Sequence, residues 1–564
     1  MKYKSYFAIL ASSALVIPIV VPTTAQAVTF TDTKGNPHEE AIYTLLEMGI
    51  VSGYSDGTFL PNKLLTRSDV VKMIGKWLIS LGYEIPSDYQ SNPRFIDLKL
   101  STNEELLQYA ALVKDSGILV GTPDGMLNPG KNISRENMAI VLVRAYEFMY
   151  GIDYVGYVKQ RSFKKDVSDY EQAKEEARPY IEVLDYFNIT NPSNTQFQPK
   201  KTTSRGQFAS FIARSEVVKN VNLVDVVTIA GTGRYDSVNG LAQDASFRFP
   251  TGIVALQDNT LLVADRHNQT IRKIQNNKIT ILAGLTLEKD SFGLPIGGLI
   301  NGNKELAFFN EPNDLAVDSL GNIYIADSSN HAIRKITVEG QVTTLAGNGL
   351  FGHVDEVGEN AMFNSPQSIV CANDGTLYVA DTLNHVIRKV TTDGKVSTLN
   401  APSDRVVEVL PGEVEWAGDF KDGPLKQAKF NEPSGLALDE KGNLFVSDSG
   451  NQLIRYIDFS SDKVSTIAGN IKTASPTSLY VDGGFTDGPA GKSAFQFPKG
   501  LAFSKQHGLF IADSMNKSIR LLRDGKVHTI ATGFLQPTGI TVDAQQNVFV
   551  TDSHNNTIKQ IKFK

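Results

Sequence analysis

The C-terminal half of the chain alternates short apolar runs with polar turns, in a line that recurs six times. Each copy has an apolar run ending at Asp, a polar turn with Asn three residues later, and a second apolar run with Arg or Lys at the seventh position. This alternation predicts a β-hairpin. The copies begin with ADRHNQTIRKI at Ala264 and follow at Ala326, Ala380, Ser447, Ala512 and Thr551. A pattern copied at intervals of a few dozen residues indicates one repeated supersecondary unit.

Two further apolar runs flank each hairpin. A run led by proline precedes it, such as PTGIVAL from Pro250, and a β-branched run follows it, such as ITILAG from Ile279. Four short antiparallel strands per unit predict a propeller blade. The last unit lacks its fourth strand, whereas VVTIAG from Val226 precedes the first unit without a unit of its own. We therefore expect the strand at residues 226–231 to complete the last blade of a six-bladed propeller with no open sheet edge.

A second repeat, helical in period, occupies residues 28–216. Each copy has an amphipathic run, a polar turn, a proline and a second amphipathic run. The turns read GYSDGTFLP from Gly53, GTPDGMLNP from Gly121 and NPSNTQFQP from Asn191. The second and third copies open at Phe95-Ile96-Asp97 and at Phe163 with Asp166. The pattern predicts a multidomain chain: copies at 28–90, 91–155 and 156–216, a linker at 217–225, and an all-β propeller at 226–564.

The first 27 residues have the pattern of an export signal. Lys2 and Lys4 precede an apolar stretch, and Ala25-Gln26-Ala27 provides small residues for cleavage. We therefore expect a secreted protein without an integral membrane segment, since no other apolar stretch has the length that a bilayer requires. The net charge of −6 gives no electrostatic reason to expect nucleic acid as a partner. The single cysteine, Cys371, excludes an intramolecular disulfide.

Each helical copy begins its second helix with a hydroxyl residue followed by arginine. The three sites are Thr66-Arg67-Ser68-Asp69, Ser134-Arg135-Glu136-Asn137 and Ser204-Arg205-Gly206-Gln207. The hydroxyls are expected to cap the helices, and the fourth residues are placed to complete capping boxes. An arginine in the first turn opposes the helix macrodipole by roughly 0.3 to 1 kcal/mol. Three such arginines favour an anionic ligand, which a helix N-terminus attracts and a guanidinium binds through two hydrogen bonds, over the alternative of a solvated or salt-bridged surface.

These motifs resemble the S-layer homology (SLH) domain, whose marks are an F-x-D opening, a G-Y-x-D-G-x-F-x-P turn and a T-R-A-E motif. The third turn lacks the Asp-Gly pair, and the T-R-A-E motif is imperfect in all three copies. The resemblance implies a pseudo-threefold α-helical unit that binds pyruvylated secondary cell-wall polysaccharide of Gram-positive bacteria without a covalent bond. The implied binding residues are Arg67, Arg135, Arg205, Thr66, Ser134, Ser204, Gly57 and Gly125.

The resemblance also implies what each of those residues contributes to binding. The ketal-linked pyruvate would supply the carboxylate for the arginines, and Gly57 and Gly125 would admit the sugar close to the backbone. The third turn has no such glycine. We therefore expect its groove to bind most weakly, and the substitution Arg205→Ala to reduce affinity less than the loss of Arg67 or Arg135.

The C-terminal repeat resembles the NHL family of propellers through its A-D-x-x-N-H-x-I-R-K line and its proline-led strand. The Asp and Asn that recur in every blade are expected to serve the blade, Asp by closing the turn and Asn by taking a left-handed conformation. Binding residues are expected where the blades differ and in the long loops between blades. This gives four candidates for a binding face: His331, His385, Trp416 and Tyr480.

Two classes of function remain open. The first is a protein of the cell wall or S-layer whose propeller displays a face to an unidentified protein or glycan. The second is a wall-anchored enzyme, a lyase or hydrolase acting on polysaccharide or lactone-type substrates in the central channel. The sequence predicts no catalytic residue, cofactor or metal site, because His331 and His385 have no convincing third ligand and no nucleophile or phosphate-loop motif is present.

Overall fold

A computed structural model describes residues 29–99, 102–190, 195–215, 224–410, 412–472, 474–475 and 477–563. Within them, a helical region precedes a β-propeller, which confirms the predicted fold class. The predicted export signal lies outside the described residues, as does the predicted linker except for its last two residues.

The helical region has two main helices in each copy. These are Glu39–Glu47 and Arg67–Ser80 in the first, Glu104–Asp115 and Arg135–Tyr150 in the second, and Arg178–Tyr186 and Arg205–Arg214 in the third. The short helix Tyr154–Lys159 spans the predicted boundary between the second and third copies. All of them contribute to one apolar core, in which Trp77 and Leu142 are fully buried. Because the three copies share this core, none of them forms a separate unit.

The predicted caps are present at the start of the second helix in each copy. The side chains of Thr66, Ser134 and Ser204 each accept the backbone N–H of the residue three positions later. The capping box is complete at Thr66 with Asp69 and at Ser204 with Gln207. At Ser134 only the hydroxyl bond is present. The interpretation of these hydroxyls as helix caps is therefore confirmed.

The segments just before these helices join the three copies in a closed ring of backbone hydrogen bonds. Leu65 donates its N–H to the carbonyl oxygen of Thr203 over 2.9 Å. Thr203 donates to Ile133 over 3.1 Å, and Ile133 donates to Leu65 over 3.0 Å. Each copy is thus donor to one neighbour and acceptor from the other, which gives the pseudo-threefold arrangement that the repeat predicts.

An aspartate near the start of each copy holds the polar turn. Asp32 accepts the N–H groups of Phe59 and Leu60 over 2.8 and 2.7 Å. Asp97 does the same for the second turn and Asp169 for the third. The prediction that Asp166 opens the third copy is wrong, because the equivalent carboxylate belongs to Asp169.

The propeller consists, in the described residues, of six blades arranged around a channel. The innermost strands are Pro250–Ala255, Pro312–Val317, Pro366–Cys371, Pro433–Leu438, Pro498–Ser504 and Pro537–Val542. The second strands are Leu261–Asp265, Ile323–Asp327, Leu377–Asp381, Leu444–Asp448, Gly508–Asp513 and Val548–Asp552. The third strands are Thr270–Gln275, Ala332–Ile336, Val386–Val390, Leu453–Asp458, Ser518–Arg523 and Thr557–Phe563.

The outermost strands show how the ring closes. Five blades end with their own fourth strand, at Lys278–Ala283, Gln341–Ala346, Val396–Thr398, Lys463–Ala468 and Lys526–Ala531 among the residues described. The last blade is completed by Val224–Ala230, which pairs antiparallel with Thr557–Phe563. Val226 lies opposite Ile561 in this pairing. The sheet of the last blade therefore joins the two ends of the propeller, and apolar clusters fill the spaces between neighbouring blades.

Each blade contains a buried ion pair that the repeat only partly revealed. In the first blade, Asp265 accepts Arg272 Nη1 over 2.6 Å, and both side chains are fully buried. Asn268 donates its side-chain N–H to the same carboxylate over 2.8 Å. The guanidinium also lies over the ring of Phe247, with 5.2 Å to its centroid. The corresponding ion pairs are Asp327–Arg334, Asp381–Arg388, Asp448–Arg455, Asp513–Arg520 and Asp552–Lys559.

These contacts revise the roles expected for the repeated residues. The Asp does bond to backbone, since Asp265 Oδ1 accepts the N–H of Arg248 over 2.7 Å. The Asn is not the left-handed residue. That conformation belongs to the next position, where Gln269 has φ 57° and His331 has φ 47°. The Asn instead satisfies the buried carboxylate together with the arginine.

The structure adds strands that the sequence did not predict. Two-residue strands extend four blades beyond their outermost strand in the described residues, at Gly240–Leu241, Gly302–Asn303, Gly423–Pro424 and Gly488–Pro489. The loop before the fourth blade contains a separate hairpin, formed by Arg405–Leu410 and Glu413–Ala417. This hairpin carries Trp416.

Candidate functional site

The three arginines of the helical region each reach into the polar turn of a neighbouring copy. Arg205, in the third copy, donates from Nε to the carbonyl oxygen of Phe59 and from Nη2 to that of Ser52, both over 3.0 Å. Its guanidinium also lies over the rings of Tyr54 and Phe59, at 5.0 and 4.5 Å from their centroids. Arg205 therefore contacts the turn of the first copy and leaves only 9% of its surface exposed.

Arg67 and Arg135 likewise contact the copy that follows their own around the ring. Arg67 donates from Nε to the carbonyl oxygen of Leu127 in the second copy over 2.5 Å. Arg135 lies over Phe197 and Phe211 of the third copy, at 4.9 and 5.6 Å from the ring centroids. Both are half-buried, and this burial lowers the pKa of each guanidinium, although Asp97 beside Arg67 and Asp169 beside Arg135 oppose the shift.

This rotation corrects the expectation for the weakest groove. That expectation pairs the turn without glycine with Arg205, the arginine of the same copy. In the structure the third turn contacts Arg135, and Arg205 contacts the first turn, which contains Gly57. The groove with the altered turn is therefore the one beside Arg135.

The first backbone N–H groups of these three helices already have hydrogen-bond acceptors. Arg67 donates its backbone N–H to Lys131 over 2.9 Å, and Ser68 donates to Pro129 over 3.0 Å. The equivalent groups of the other two helices donate to Lys201 and Pro199 and to Lys63 and Pro61. Free N–H groups at a helix start are what binds an anion there. An anion at these grooves must therefore be bound by side chains.

Three exposed lysines lie next to these helix starts. Lys63, Lys131 and Lys201 stand four residues before each arginine and are exposed at the surface. Because each lysine carbonyl accepts the N–H of the preceding copy's arginine, every groove has one lysine and one arginine: Lys131 with Arg67, Lys201 with Arg135, and Lys63 with Arg205. The constant spacing between these lysines and the arginines is visible in the sequence, but no family motif marks the lysines.

The two glycines expected at the site occupy turns that require them. Gly57 and Gly125 have φ values of +80° and +78°, which side-chain-bearing residues rarely adopt. A Cβ atom at Gly57 would have no heavy atom within 4 Å, and one at Gly125 would meet only Ile96, at 3.7 Å. Both α-carbons therefore face open space.

On the propeller, three of the four predicted face residues gather around one cleft of about 620 Å³. His385, Trp416 and Glu432 line it, and Trp416 is 70% exposed on its hairpin. Tyr480 donates its hydroxyl to Glu432 Oε1 over 2.8 Å and so fixes one wall of the cleft. His331 does not line this cleft.

The two histidines have a structural role that the sequence did not reveal. His331 Nδ1 accepts the N–H of Ser365, and His385 Nδ1 accepts that of Glu432, each over 3.0 Å across a blade boundary. Gln269, Gln452 and Asn556 accept the corresponding N–H groups at three other boundaries. In these five blades the position four residues after the repeat Asp therefore varies in identity but keeps an acceptor, whereas the fifth blade has Lys517, which cannot accept a hydrogen bond. The variation at this position between blades therefore does not by itself indicate a binding residue.

The surroundings of His385 keep its ring neutral. Burial lowers its pKa to about 4, although a hydrogen bond to the backbone of Trp416 opposes this shift. Within the described part of the chain, no group of three or more His, Cys, Asp or Glu side chains is placed to hold a metal ion. No helix in that part is both long and apolar enough to span a membrane.

Comparison with known proteins identifies both regions. The S-layer homology domain model matches residues 29–71 and 98–139. The SMP-30/Gluconolactonase/LRE-like region matches residues 219–485, and the NHL repeat matches residues 534–561. The chain therefore contains S-layer homology domains, followed by a propeller with matches to the SMP-30/Gluconolactonase/LRE-like region and the NHL repeat. Its SLH domains assign it to the cell surface.

Individual relatives match parts of the chain. The S-layer protein sap of Bacillus anthracis is 30% identical over 215 residues, which cover 38% of this chain and 24% of that protein. Protein SUPPRESSOR OF QUENCHING 1, chloroplastic, of Arabidopsis thaliana is 30% identical over 306 residues, covering 43% and 28%. The chain thus spans about a quarter of the length of these curated relatives. An auxiliary nutrient binding protein from Bacteroides thetaiotaomicron aligns with 60% of this chain and 76% of its own, at 13% identity and a TM-score of 0.42.

Proposed function

We propose that the helical region tethers this protein to the wall of a Gram-positive bacterium by binding pyruvylated secondary cell-wall polysaccharide in the grooves between copies. The observation that carries the proposal is the pairing of an exposed lysine with an arginine in all three grooves. A carboxylate on the polysaccharide would accept charge-assisted hydrogen bonds from both cations.

Within each groove the two cations have different tasks. The arginine supports the turn of the neighbouring copy, as Arg205 does through the carbonyl oxygens of Phe59 and Ser52. The lysine stands at the surface, where it meets the carboxylate. Lys63 is also positioned by Tyr54, whose hydroxyl accepts its Nζ over 2.9 Å. The open space beside Gly57 and Gly125 leaves room for the sugar that carries the acid.

Variants of the lysines test this proposal more directly than variants of the arginines, because the lysine side chains lie outside the core. Losing one charge-assisted hydrogen bond costs roughly 1.5 to 3 kcal/mol. Lys63→Ala and Lys131→Ala should each therefore reduce affinity for purified wall polysaccharide by at least about tenfold. Lys164→Ala is the matched control, since Lys164 is exposed but lies outside the grooves. Equal affinity in all three variants would refute the assignment.

For the propeller, we infer a binding face for a protein or glycan at the cleft beside Trp416. An indole that is 70% exposed on a projecting hairpin offers a stacking surface for a sugar ring or an apolar side chain. Trp416→Ala should abolish capture of a glycan or secreted protein by the full chain, whereas Phe292→Ala, at another exposed aromatic residue, should not. Capture that is unchanged in Trp416→Ala would place the binding face elsewhere.

The alternative function is that of a wall-anchored propeller enzyme, a lyase or hydrolase. The match to the SMP-30/Gluconolactonase/LRE-like region favours this alternative. Turnover of a lactone or polysaccharide by the full chain would establish it.

A further inference from the structure

The channel of the propeller is lined by one polar side chain from each described blade. These residues directly follow the proline that opens each innermost strand: Thr251, Asn313, Gln367, Ser434, Lys499 and Thr538. The fifth blade supplies a lysine, and the other side chains are neutral. Because neutral residues of several sizes occupy the same position, the propeller fold does not require a cation there.

A second departure from the repeat faces the same channel. The residue after the repeat Asp is usually Ser or Thr, and its hydroxyl donates to the proline carbonyl that opens the next innermost strand. These bonds join Ser328 to Pro366, Thr382 to Pro433, Ser449 to Pro498, Ser514 to Pro537 and Ser553 to Pro250. In the first blade this residue is Arg266, which donates to Glu311 over 2.6 Å and lines the channel. Both departures therefore bring a cation to one cavity.

The cavity offers hydrogen-bond donors that lack acceptors. Lys499 Nζ makes no hydrogen bond or ion pair with any residue that the structure describes, and Arg266 Nε is buried with no acceptor among them. The other charged residue lining the cavity is Asp314, whose carboxylate accepts Ser368 Oγ over 2.7 Å and the N–H of Ile369 over 3.1 Å. Because Arg266 is already paired with Glu311, Lys499 is the cation of the described lining that has no ion pair, and Asp314 is its one carboxylate.

Burial in the channel disfavours the charged form of this lysine. Burial and, to a smaller extent, the charge of Arg266 lower the pKa of Lys499 to about 8, whereas Glu432 opposes the shift. An anion beside the ammonium would remove part of this penalty, because an opposite charge nearby favours the charged form.

We propose that the channel binds a small organic monocarboxylate through the ammonium of Lys499 and the guanidinium of Arg266. The cavity encloses about 50 Å³, which suits a carboxylate with few further atoms. The single ammonium without an ion pair, that of Lys499, matches a monoanion better than a doubly charged phosphate. This site is separate from the helical grooves and from the Trp416 cleft, and it does not depend on their proposed function.

The test uses variants that restore the repeat. Lys499→Gln copies Gln367 of the third blade, and Arg266→Ser copies Ser328 of the second. Both should fold like the unaltered chain, since other blades carry these residues in the same positions. A serine at position 266 should also gain the bond to Pro312 that its counterparts make. The melting temperature of each variant checks this point.

Binding is measured on the full chain by NMR after reductive methylation of lysines with ¹³C-formaldehyde. The Lys499 resonance is the one that Lys499→Gln lacks. Sodium acetate and sodium pyruvate are the probes, acetamide is the neutral counterpart of acetate, and sodium phosphate is the competing anion. We expect acetate or pyruvate to shift the Lys499 resonance saturably and to raise its pKa, and acetamide to do neither.

Arg266→Ser should weaken the effect of the carboxylate by about tenfold or more, without lowering the melting temperature. The proposal is overturned if neither carboxylate gives a saturable shift, if acetamide gives the same shift, or if Arg266→Ser binds as well as the unaltered chain. Tighter binding of phosphate than of either carboxylate would also overturn it, because the channel would then be a phosphate site.

Discussion

Arg205, near the end of the helical region, donates from Nε to the carbonyl oxygen of Phe59, near its beginning, over 3.0 Å. The same guanidinium lies over the Phe59 ring, 4.5 Å from its centroid. This contact joins the third copy to the first, as Arg67 joins the first copy to the second through Leu127. The arginines that the sequence marks as candidate ligands thus also hold the three copies together.

The first prediction concerns this double role. Arg205→Ala removes two bonds to carbonyl oxygens and two ring contacts, so it should lower the free energy of unfolding of the helical region by about 2 to 4 kcal/mol. Arg135→Ala removes mainly contacts with Phe197 and Phe211, and should cost about 1 kcal/mol. The measurement is urea unfolding followed by fluorescence of the buried Trp77, in a Trp416→Phe background. Equal losses in the two variants would contradict this account.

The second prediction concerns closure of the propeller. Replacing the seven residues Val224–Ala230 by a Gly-Ser segment of equal length exposes the edge at Thr557–Phe563. The melting temperature of the propeller should fall by roughly 5 °C or more, because backbone partners and buried apolar surface are lost. Replacing the hairpin at residues 405–417 by a short loop is the control, since that hairpin forms a sheet of its own. A similar effect of both replacements would mean that the closing strand adds no special stability.

The third prediction concerns the buried ion pairs. Arg334→Met leaves the carboxylate of Asp327 buried without its cation, and should cost about 3 to 5 kcal/mol in unfolding free energy. Arg334→Lys should cost less, because Lys559 serves the same role in the last blade, 2.8 Å from Asp552. Chemical denaturation of both variants checks this order. An Arg334→Met variant as stable as Arg334→Lys would show that the pair contributes little.

The fourth prediction is a dependence of stability on pH. Burial lowers the pKa of His385 to about 4, whereas the unfolded chain protonates near the ordinary value of 6.5. The stabilisation from neutral His385 is therefore complete above pH 6.5 and is lost as pH falls toward 4. His385→Gln keeps an acceptor, as Gln269 and Gln452 do, and should reduce the loss between neutral and acid pH by about 1 to 3 kcal/mol.

The reverse substitution is the control for this prediction. Gln452→His places a histidine at the equivalent boundary, where Gln452 accepts the N–H of Phe497. It should add a loss of stability in the same range of pH. If unfolding free energies of His385→Gln and the unaltered chain fall in parallel with pH, the titration of His385 does not contribute.

The sequence predicted those features that repeat within short distances. The recurring line predicted the strands, the unpaired run at Val226 predicted the closing strand, and the hydroxyls before the arginines predicted the helix caps. Each of these depends on residues close in sequence or on a regular period. The repeat also showed Arg or Lys seven residues after Asp, although not that the pair is buried.

The contacts between copies were not predictable in the same way. Which turn Arg205 contacts depends on how three similar units close on one another, and equal motifs do not reveal the direction of that rotation. The hairpin carrying Trp416 lies in a loop present in only one blade boundary of the described residues, so no repeat marked it. The lysines at positions 63, 131 and 201 and the exceptional Arg266 were visible in the sequence once the copies are aligned.

Retention of the full chain on purified wall sacculi, before and after mild acid removes ketal-linked pyruvate, tests the central claim most directly. If the grooves bind the pyruvate carboxylate, the chain should remain on untreated sacculi and be released from depyruvylated ones. The triple variant Lys63→Ala, Lys131→Ala and Lys201→Ala should fail to bind either preparation. Equal retention on both preparations, or full retention of the triple variant, would show that another feature holds the protein at the wall.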